Sequence, residues 1–217
     1  MRLDLRVYVI TTRLPHLGRD HFTIAEAAVR GGATILQFRD KTMPDAEFAV
    51  AASRILCIAR QGGVPLMVND RVEIAAAIGA DGVHVGRADA AVSGLRHSLP
   101  PGMIIGASAT CYDEAIAACD AGADYLGVGP IFSTSSKADA TPPMGADELA
   151  RICRAAKLPV VAIGGINAEN LRSVVDAGAA GAAVIAAVAE AADIAGATAE
   201  LRFAWDRLLA IPGSVKS

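Results

Sequence analysis

The sequence lacks several features that would assign it to a specialised class of protein. Its 217 residues carry a formal net charge of −3 without any block of Lys and Arg, which argues against a nucleic-acid partner or a membrane surface. No apolar run reaches the roughly 18 uncharged residues of a membrane span. The first residues, MRLDLRVYVITT, are interrupted by charge and lack the apolar core of a signal peptide, so we expect a cytoplasmic protein.

Cysteine is also scarce, and its spacing is uninformative. Four cysteines, at 57, 111, 119 and 153, form no CxxC pair and no Cys/His pattern of a metal site. We expect buried free thiols in a reducing compartment. The sequence also shows no paired nucleophile and base of the kind that covalent catalysis uses.

What is present is a regular alternation of short apolar runs and amphipathic stretches in a chain that is 53% hydrophobic. Eight strands are predicted, at 6–10, 34–38, 65–68, 82–85, 103–107, 125–129, 159–163 and 181–185. Eight helices are predicted, at 24–30, 45–60, 71–78, 90–98, 113–121, 146–156, 168–177 and 188–209. Strict alternation of this kind predicts a parallel sheet with right-handed crossovers.

A repeated glycine supports a closed barrel. Gly32, Gly79, Gly122 and Gly178 each follow a predicted helix and precede a predicted strand, at the starts of strands two, four, six and eight. Eight βα units predict a TIM (β/α)8 barrel, with residues 1–217 forming one domain. A doubly wound open sheet is the alternative.

Polar residues concentrate where the predicted strands end, which is the catalytic face of a TIM barrel. They are Gln37, Arg39 and Lys41 after strand two, Asn69 and Asp70 after strand three, Asp89 after strand four, Ser108 after strand five, and Thr134, Ser136 and Lys137 after strand six. Gln37 and Arg39 alternate with apolar residues, so both are expected to point into the barrel, where a ligand or an acid would have to meet them. His84 lies within strand four and is expected to pack or support a neighbour rather than to catalyse.

Two acidic residues stand at neighbouring strand ends. Asp70 and Asp89 are each placed where they could cap a helix. As a pair they suit a hard cation such as Mg2+, which prefers oxygen ligands and often bridges to phosphates.

Two small-residue turns favour an anion. Gly164 and Gly165 after strand seven allow a close approach to backbone N–H groups, with a helix expected to follow. Ile185 and Ala186 form the turn after strand eight, and TIM barrels often bind phosphate at these two loops. The segment 133–144 is polar, contains two prolines, and is expected to close over bound anions; a solvated surface loop is the alternative.

Four stretches together resemble thiamine phosphate synthase, also called thiamine phosphate pyrophosphorylase: LQFRDK, VNDRVEIAAAIGADGVHVGRADA, ADYLGVGPIFSTSSK and PVVAIGGINAENLRSVVDAGAAG. The resemblance spans about residues 6 to 190. It implies a TIM barrel transferase that joins 4-amino-5-hydroxymethyl-2-methylpyrimidine pyrophosphate to hydroxyethylthiazole phosphate by a dissociative mechanism, with Mg2+ required and pyrophosphate released.

The resemblance also implies residue roles. Gln37, Arg39 and Lys41 would contact the pyrimidine pyrophosphate, and Asn69, Ser108 and Lys137 would hold its pyrophosphate. Asp70 and Asp89 would be the protein ligands of Mg2+. Thr134, Ser136 and Gly165 would receive the thiazole phosphate, together with the turn at Ile185 and Ala186.

The chain departs from the family pattern at a few positions. The first strand ends in ITTR rather than with an acid, Thr110 replaces a frequent His, and Ala186 replaces a frequent Ser. The related thiazole tautomerase branch usually lacks the acid after Asn and has that His, so Asp70, Asp89 and Thr110 favour the synthase. A tautomerase-like enzyme and a barrel that only binds thiamine precursors are the alternatives. Only small-molecule partners are expected, and the sequence leaves a homo-oligomer open.

Overall fold

A computed structural model describes residues 3–86, 92–134, 136 and 141–210. Within them, eight parallel strands close into a barrel in sequence order. The strands are β1 Val7–Thr11, β2 Ile35–Phe38, β3 Leu66–Asn69, β4 Gly82–Val85, β5 Ile104–Ala109, β6 Tyr125–Val128, β7 Val160–Ile163 and β8 Gly181–Val184. Because β1 pairs with both β2 and β8, the predicted TIM barrel is confirmed and the open sheet is excluded.

Helices cover the outside of the barrel. They are α1 His21–Arg30, α2 Asp45–Gln61, α3 Val72–Ile78, α4 Val92–Ser98, α5 Tyr112–Asp120, α6 Gly145–Ala155, α7 Leu171–Asp176, α8 Ala186–Ala189 and α9 Ile194–Ala210, with a short 3-10 turn at Pro15–Leu17. Helix α1 begins three residues before the predicted 24–30 segment because Asp20 caps it, accepting a hydrogen bond from the Thr23 N–H at 2.8 Å. The first residues of the predicted helix 90–98 lie outside the described part of the chain.

The prediction of a single helix over 188–209 is wrong. The segment divides into α8 and α9, and residues 190–193 between them are not helical. The Arg19 guanidinium donates hydrogen bonds to the carbonyls of Ala189 and Ala192, which supplies partners for the end of α8. Since Arg19 lies about 170 residues away in sequence, local helix propensity could not indicate this break.

Alternation along the strands sorts side chains between two cores. On β1, Tyr8 and Ile10 point into the barrel and join an interior cluster with Ile35 and Met67. Their neighbours Val7 and Val9 point outward and pack under the helices in the larger core. The period of two thus decides which residues can reach the barrel mouth. The four glycines of the repeat all have positive φ, between 68° and 94°. This conformation fits their predicted position between the end of a helix and the start of a strand.

The prediction that the cysteines are free thiols is correct, and the prediction that they are buried is wrong. All four cysteines are free, but Cys57 and Cys111 are exposed, while Cys119 and Cys153 are partly buried. The exposed pair lie on α2 and just before α5, at positions that turn away from the strands. No helix in the described ranges is long and apolar enough to cross a membrane.

Candidate active site

A cavity of about 400 Å³ opens at the carboxyl ends of the strands. Eleven of the predicted site residues line it: Gln37, Arg39, Lys41, Asn69, Asp70, Ser108, Thr134, Ser136, Gly165, Ile185 and Ala186. Apolar side chains of Ile10, Val161, Ile163 and Ala183 complete the wall. The barrel therefore brings every predicted site residue that the structure describes to one place.

The loop after β2 supplies the positive charge. Arg39 is half-buried at the cavity wall and makes no ion pair within the described ranges. Lys41 is more exposed, and its Nζ lies 4.0 Å from an Asp70 carboxylate oxygen. Among the described residues that line this part of the cavity, Arg39 and Lys41 carry two positive charges and Asp70 carries one negative charge. The excess of positive charge suits an anion.

Asp40, between those two cations, anchors the loop that carries them. Its Oδ1 accepts hydrogen bonds from the N–H groups of Thr42 and Met43, both at 2.9 Å. Its Oδ2 pairs with Arg13 at 2.8 Å and with His21 Nε2 at 3.2 Å. Burial raises the pKa of Asp40, but the hydrogen bonds from Thr42 and His21 outweigh it and lower that pKa to about 2.

His21 belongs to none of the sequence motifs, yet it has two polar partners in the structure. It is buried at the start of α1, its Nδ1 lies 2.9 Å from Thr11 Oγ1, and its ring packs edge-on against Phe38. Burial lowers the pKa of His21, while the neighbouring Asp40 partly offsets this by raising it. The Thr11–His21–Asp40 series links the first strand to the cationic loop.

Asp70 does not cap α3, because the N-cap position is Arg71 and no side chain caps that helix. Its backbone has φ +61°, and it is the single non-glycine residue with positive φ among those described. Asp tolerates this conformation better than most residues, yet it carries a cost. Asp70 follows Asn69, the last residue of β3, and both residues line the cavity.

The interior floor of the cavity is polar. Gln37 is buried, and its Nε2 donates to the Tyr8 hydroxyl at 2.7 Å, so a protein partner meets it where only a ligand or an acid was expected. His84 is buried between Tyr125 and Ser108, with 2.9 Å from each ring nitrogen to a hydroxyl. The expectation that His84 supports a neighbour is confirmed.

The turn after β7 is built differently from the prediction. Helix α7 begins only at Leu171, so it does not follow the glycine pair directly. Side chains organise the intervening residues: Asn167 Oδ1 accepts from the Asn170 N–H at 3.1 Å, and Asn170 Nδ2 donates to the Gly165 carbonyl at 2.8 Å. An anion at Gly165 would therefore rely on the N–H groups of the turn itself and not on the N-terminus of α7.

Loop residues after β6 lie against this turn. The N–H groups of Ile131 and Phe132 donate to the carbonyls of Ile163 and Gly164, at 2.9 and 3.0 Å. Thr134 follows, and its Oγ1 accepts from the Ser136 N–H at 3.2 Å. The predicted residues Lys137 and Asp89 lie outside the described residues, as do 135 and 138–140 of the 133–144 segment, so its closure over an anion stays a prediction.

The sequence is similar to known proteins over almost its whole length. Residues 7–188 match the family model described as thiamine monophosphate synthase. The chain belongs to the thiamine monophosphate synthase family. It is 46% identical over 200 residues to the thiamine-phosphate synthase of Chloroflexus aurantiacus, covering 92% of each chain. It is 43% identical over 204 residues to the thiamine-phosphate synthase of Syntrophomonas wolfei, covering 94% of this chain and 98% of the relative.

A solved structure from the same group has a similar shape. The thiamine phosphate pyrophosphorylase from Pyrococcus furiosus superimposes with a TM-score of 0.87 at 38% identity, covering 95% of this chain and 98% of that one. The membership of the thiamine monophosphate synthase family thus extends over nearly the whole barrel. It includes the strand ends that form the cavity.

Three polar residues at or near the cavity are not among the predicted site residues. Tyr8 and Tyr125 lie within predicted strands, and His21 precedes the first predicted helix. A polar atom on an inward-facing strand position was the available signal for the two tyrosines, since such an atom needs a partner inside the barrel. No comparable signal linked His21 to Asp40, because they lie on different elements.

Proposed function

We propose that this protein is a thiamine phosphate synthase. It condenses 4-amino-5-hydroxymethyl-2-methylpyrimidine pyrophosphate with hydroxyethylthiazole phosphate to give thiamine phosphate and pyrophosphate. The observation that carries the proposal is one cavity lined both by the cations Arg39 and Lys41 after β2 and by the turns at Gly165 and Ala186 after β7 and β8. Two anionic groups on two substrates would need two such regions.

Cations and hydroxyls would promote departure of the pyrophosphate. The bond between the pyrimidine methylene carbon and the pyrophosphate oxygen breaks, and its electron pair leaves with the oxygen. Arg39, Lys41 and Lys137 would neutralise the growing charge, and Ser108 would donate a hydrogen bond to it. Asn69 would contact the same group from the end of β3.

The second bond then forms without a covalent enzyme intermediate. The thiazole nitrogen donates its lone pair to the pyrimidine methylene cation, and the product thiazolium keeps the positive charge. No proton has to move in this step. The apolar wall formed by Ile10, Val161, Ile163 and Ala183 would keep water away from the cation.

The thiazole phosphate would bind at the loops that follow β6, β7 and β8. Thr134 and Ser136 offer hydroxyls there, and Gly165 offers a backbone N–H in a turn held by Asn170. Ile185 and Ala186 lie at the start of α8, where helix N–H groups lack partners within the helix. Ala186 supplies no hydroxyl, so backbone groups would carry that part of the contact.

A Mg2+ ion fits the donors present on the pyrophosphate side. The Asp70 carboxylate and the Asn69 amide oxygen are hard oxygen donors at the cavity wall. In the described part of the chain, no group of three or more His, Cys, Asp and Glu could hold a metal alone, as suits an ion that keeps water or phosphate ligands. Asp70 and Asp89 would hold the ion, whose chemistry is to neutralise charge on the pyrophosphate.

The tautomerase-like alternative finds less support. Thr110 has no ionisable group, and both its N–H and its hydroxyl are bonded to Glu114, at 2.7 and 2.9 Å. It cannot take over the acid–base role of a histidine at that position. A cytoplasmic location remains a prediction.

The decisive experiment is a synthesis assay. Purified protein is incubated with both substrates and Mg2+, and thiamine phosphate is measured by chromatography after oxidation to its fluorescent thiochrome. Lys41→Ala should lower turnover, while Lys157→Ala, at an exposed lysine between α6 and β7, should not. Tight binding of thiamine phosphate without any turnover would instead support the non-catalytic alternative.

A further inference from the structure

Five side chains form a continuous hydrogen-bonded chain across the inside of the barrel. Gln37 Nε2 donates to Tyr8 Oη at 2.7 Å, and Tyr8 Oη lies 2.8 Å from Tyr125 Oη. Tyr125 Oη lies 2.9 Å from His84 Nδ1, and His84 Nε2 lies 2.9 Å from Ser108 Oγ. The chain uses five strands, and all five of its residues line the cavity.

The barrel makes room for this chain with two glycines. A Cβ at Gly106 would lie 2.2 Å from the Tyr125 ring, and a Cβ at Gly127 would lie 2.8 Å from the His84 ring. Any larger residue would push one of these rings out of place. The two glycines therefore leave the space in which the polar atoms of Tyr125 and His84 meet.

Each link of the chain has one proton to give. A tyrosine or serine hydroxyl donates once, and a neutral imidazole donates from one nitrogen and accepts at the other. Burial raises the pKa of both tyrosines, so both hydroxyls keep their protons at neutral pH. With His84 as a neutral imidazole, all the bonds run in the same direction, and the direction at one end dictates the direction at the other.

An anion on Ser108 selects one direction. The charged oxygens of a Mg2+-bound pyrophosphate group accept hydrogen bonds, so Ser108 donates to them and can then only accept from His84 Nε2. His84 Nδ1 is left as an acceptor for the Tyr125 hydroxyl, which in turn accepts from Tyr8. Tyr8 then accepts from the Gln37 amide nitrogen, which is the arrangement that the structure contains.

The free end of the Gln37 amide is then an acceptor. Gln37 Oε1 accepts no hydrogen bond from the described residues, and no buried side-chain oxygen or nitrogen among them lacks a partner, so this oxygen reaches accessible space at the cavity. In the opposite direction, Tyr8 would donate to the amide oxygen and an N–H of Gln37 would face the cavity instead. The two directions therefore suit opposite ligand groups.

We propose that Tyr8, Tyr125 and His84 are positioning residues that make Gln37 an acceptor for the amino group of the pyrimidine whenever pyrophosphate is bound at Ser108. The proposal rests on the proposed function, because it deepens how the same site selects its substrate. It makes the recognition of the ring depend on the recognition of the leaving group. In this scheme both tyrosines act on substrate recognition through Gln37.

The first test reads the direction of the chain in the wild-type protein, without turnover. The ring nitrogens of 15N-labelled His84, assigned with a His84→Gln variant, are observed by NMR with inorganic pyrophosphate and Mg2+. The expected result is a neutral imidazole protonated at Nε2. An Nδ1–H tautomer or an imidazolium in the pyrophosphate complex would overturn the proposal.

The second test measures selectivity. Wild type, Tyr125→Phe and Tyr8→Phe are assayed with the amino substrate and with the analogue that carries a 4-oxo group, an acceptor in place of the donor. Without a chain that holds the Gln37 amide, the ratio of kcat/KM values for amino over oxo should fall about tenfold, on the scale of one hydrogen bond. The binding of inorganic pyrophosphate should change by less than about twofold, because its own contacts remain.

Tyr112→Phe is the matched control. Tyr112 lies on the outside at the start of α5, and its ring contacts the Arg151 guanidinium, a contact that phenylalanine keeps. It should leave the amino-over-oxo ratio unchanged. An unchanged ratio in folded Tyr125→Phe and Tyr8→Phe would overturn the proposal, whereas a wild-type protein that forms no thiamine phosphate would reject the proposed function and leave the NMR test valid.

Discussion

Replacing Gly165 by alanine tests how the phosphate turn is held. Gly165 has φ +64°, and a Cβ there would lie 2.4 Å from the Ser133 carbonyl oxygen and 2.8 Å from Phe132 Cβ. The methyl group of an alanine would therefore overlap with the loop after β6. Relieving the contact to an ordinary separation requires a shift of about 1 Å between the two loops.

The cost has two parts. An alanine in the left-handed region costs about 1–2 kcal/mol. The overlap with backbone adds about 1–3 kcal/mol, as for other overpacked sites. The total of about 2–5 kcal/mol should appear as a lower urea midpoint of unfolding. Because Thr134 and Ser136 continue from the displaced loop, KM for the thiazole phosphate should rise about 10- to 100-fold, and more than KM for the pyrimidine pyrophosphate.

Gly63→Ala separates the two parts. Gly63 has φ +65° and follows α2 at the opposite end of the barrel, and a Cβ there would meet no atom of the described residues within 4 Å. It should show the conformational cost alone, about 1–2 kcal/mol, with unchanged kinetics. The reasoning is refuted if Gly165→Ala unfolds at the same urea midpoint as Gly63→Ala and keeps the wild-type KM for the thiazole phosphate.

Three further predictions concern charge. Asp70→Asn should lower turnover at least about 100-fold and raise the Mg2+ concentration needed for half-maximal rate, whereas Asp120→Asn, at the exposed end of α5, should do neither; wild-type rates at limiting Mg2+ would reject the metal assignment. Arg39→Ala should raise KM for the pyrimidine pyrophosphate more than KM for the thiazole phosphate, as measured with each substrate varied in turn. Because the pKa of His21 is lowered in the folded protein, the contribution of His21 to stability is complete above about pH 6.5 and is lost as the pH falls. Wild type should therefore lose more free energy of unfolding than His21→Gln between about pH 7.5 and 5.5, as measured by urea unfolding. Equal losses in the two proteins would contradict the burial of a neutral ring.

The barrel was predictable because its signals are local. A glycine such as Gly79 or Gly122 ends a helix, and the apolar run that follows it forms a strand. The alternation of strands with helices then restricts the topology to very few choices. Strand ends then converge on one face by geometry alone. For that reason the sequence predicts that Gln37, Ser108 and Gly165 lie at the same end of the barrel, and all three line the cavity.

The errors have the opposite character. Residues 190–193 have good helix propensity, and the break there depends on Arg19 from another part of the chain. The start of α7 at Leu171 follows from side-chain bonds of Asn167 and Asn170, which compete with a helical turn. Propensity summed over a window does not include such competing partners.

The sequence by itself determined the eight βα units, the inward or outward face of each strand residue, and the set of side chains at the catalytic end. Only the closed barrel decided which of them bond to one another. Tyr8 and Tyr125 lie 117 positions apart, and their hydroxyls meet at 2.8 Å because ring closure and the space over Gly106 bring β1 and β6 face to face across the interior. Side-chain direction is a property of one strand, whereas a hydrogen bond across the barrel depends on the position of all eight.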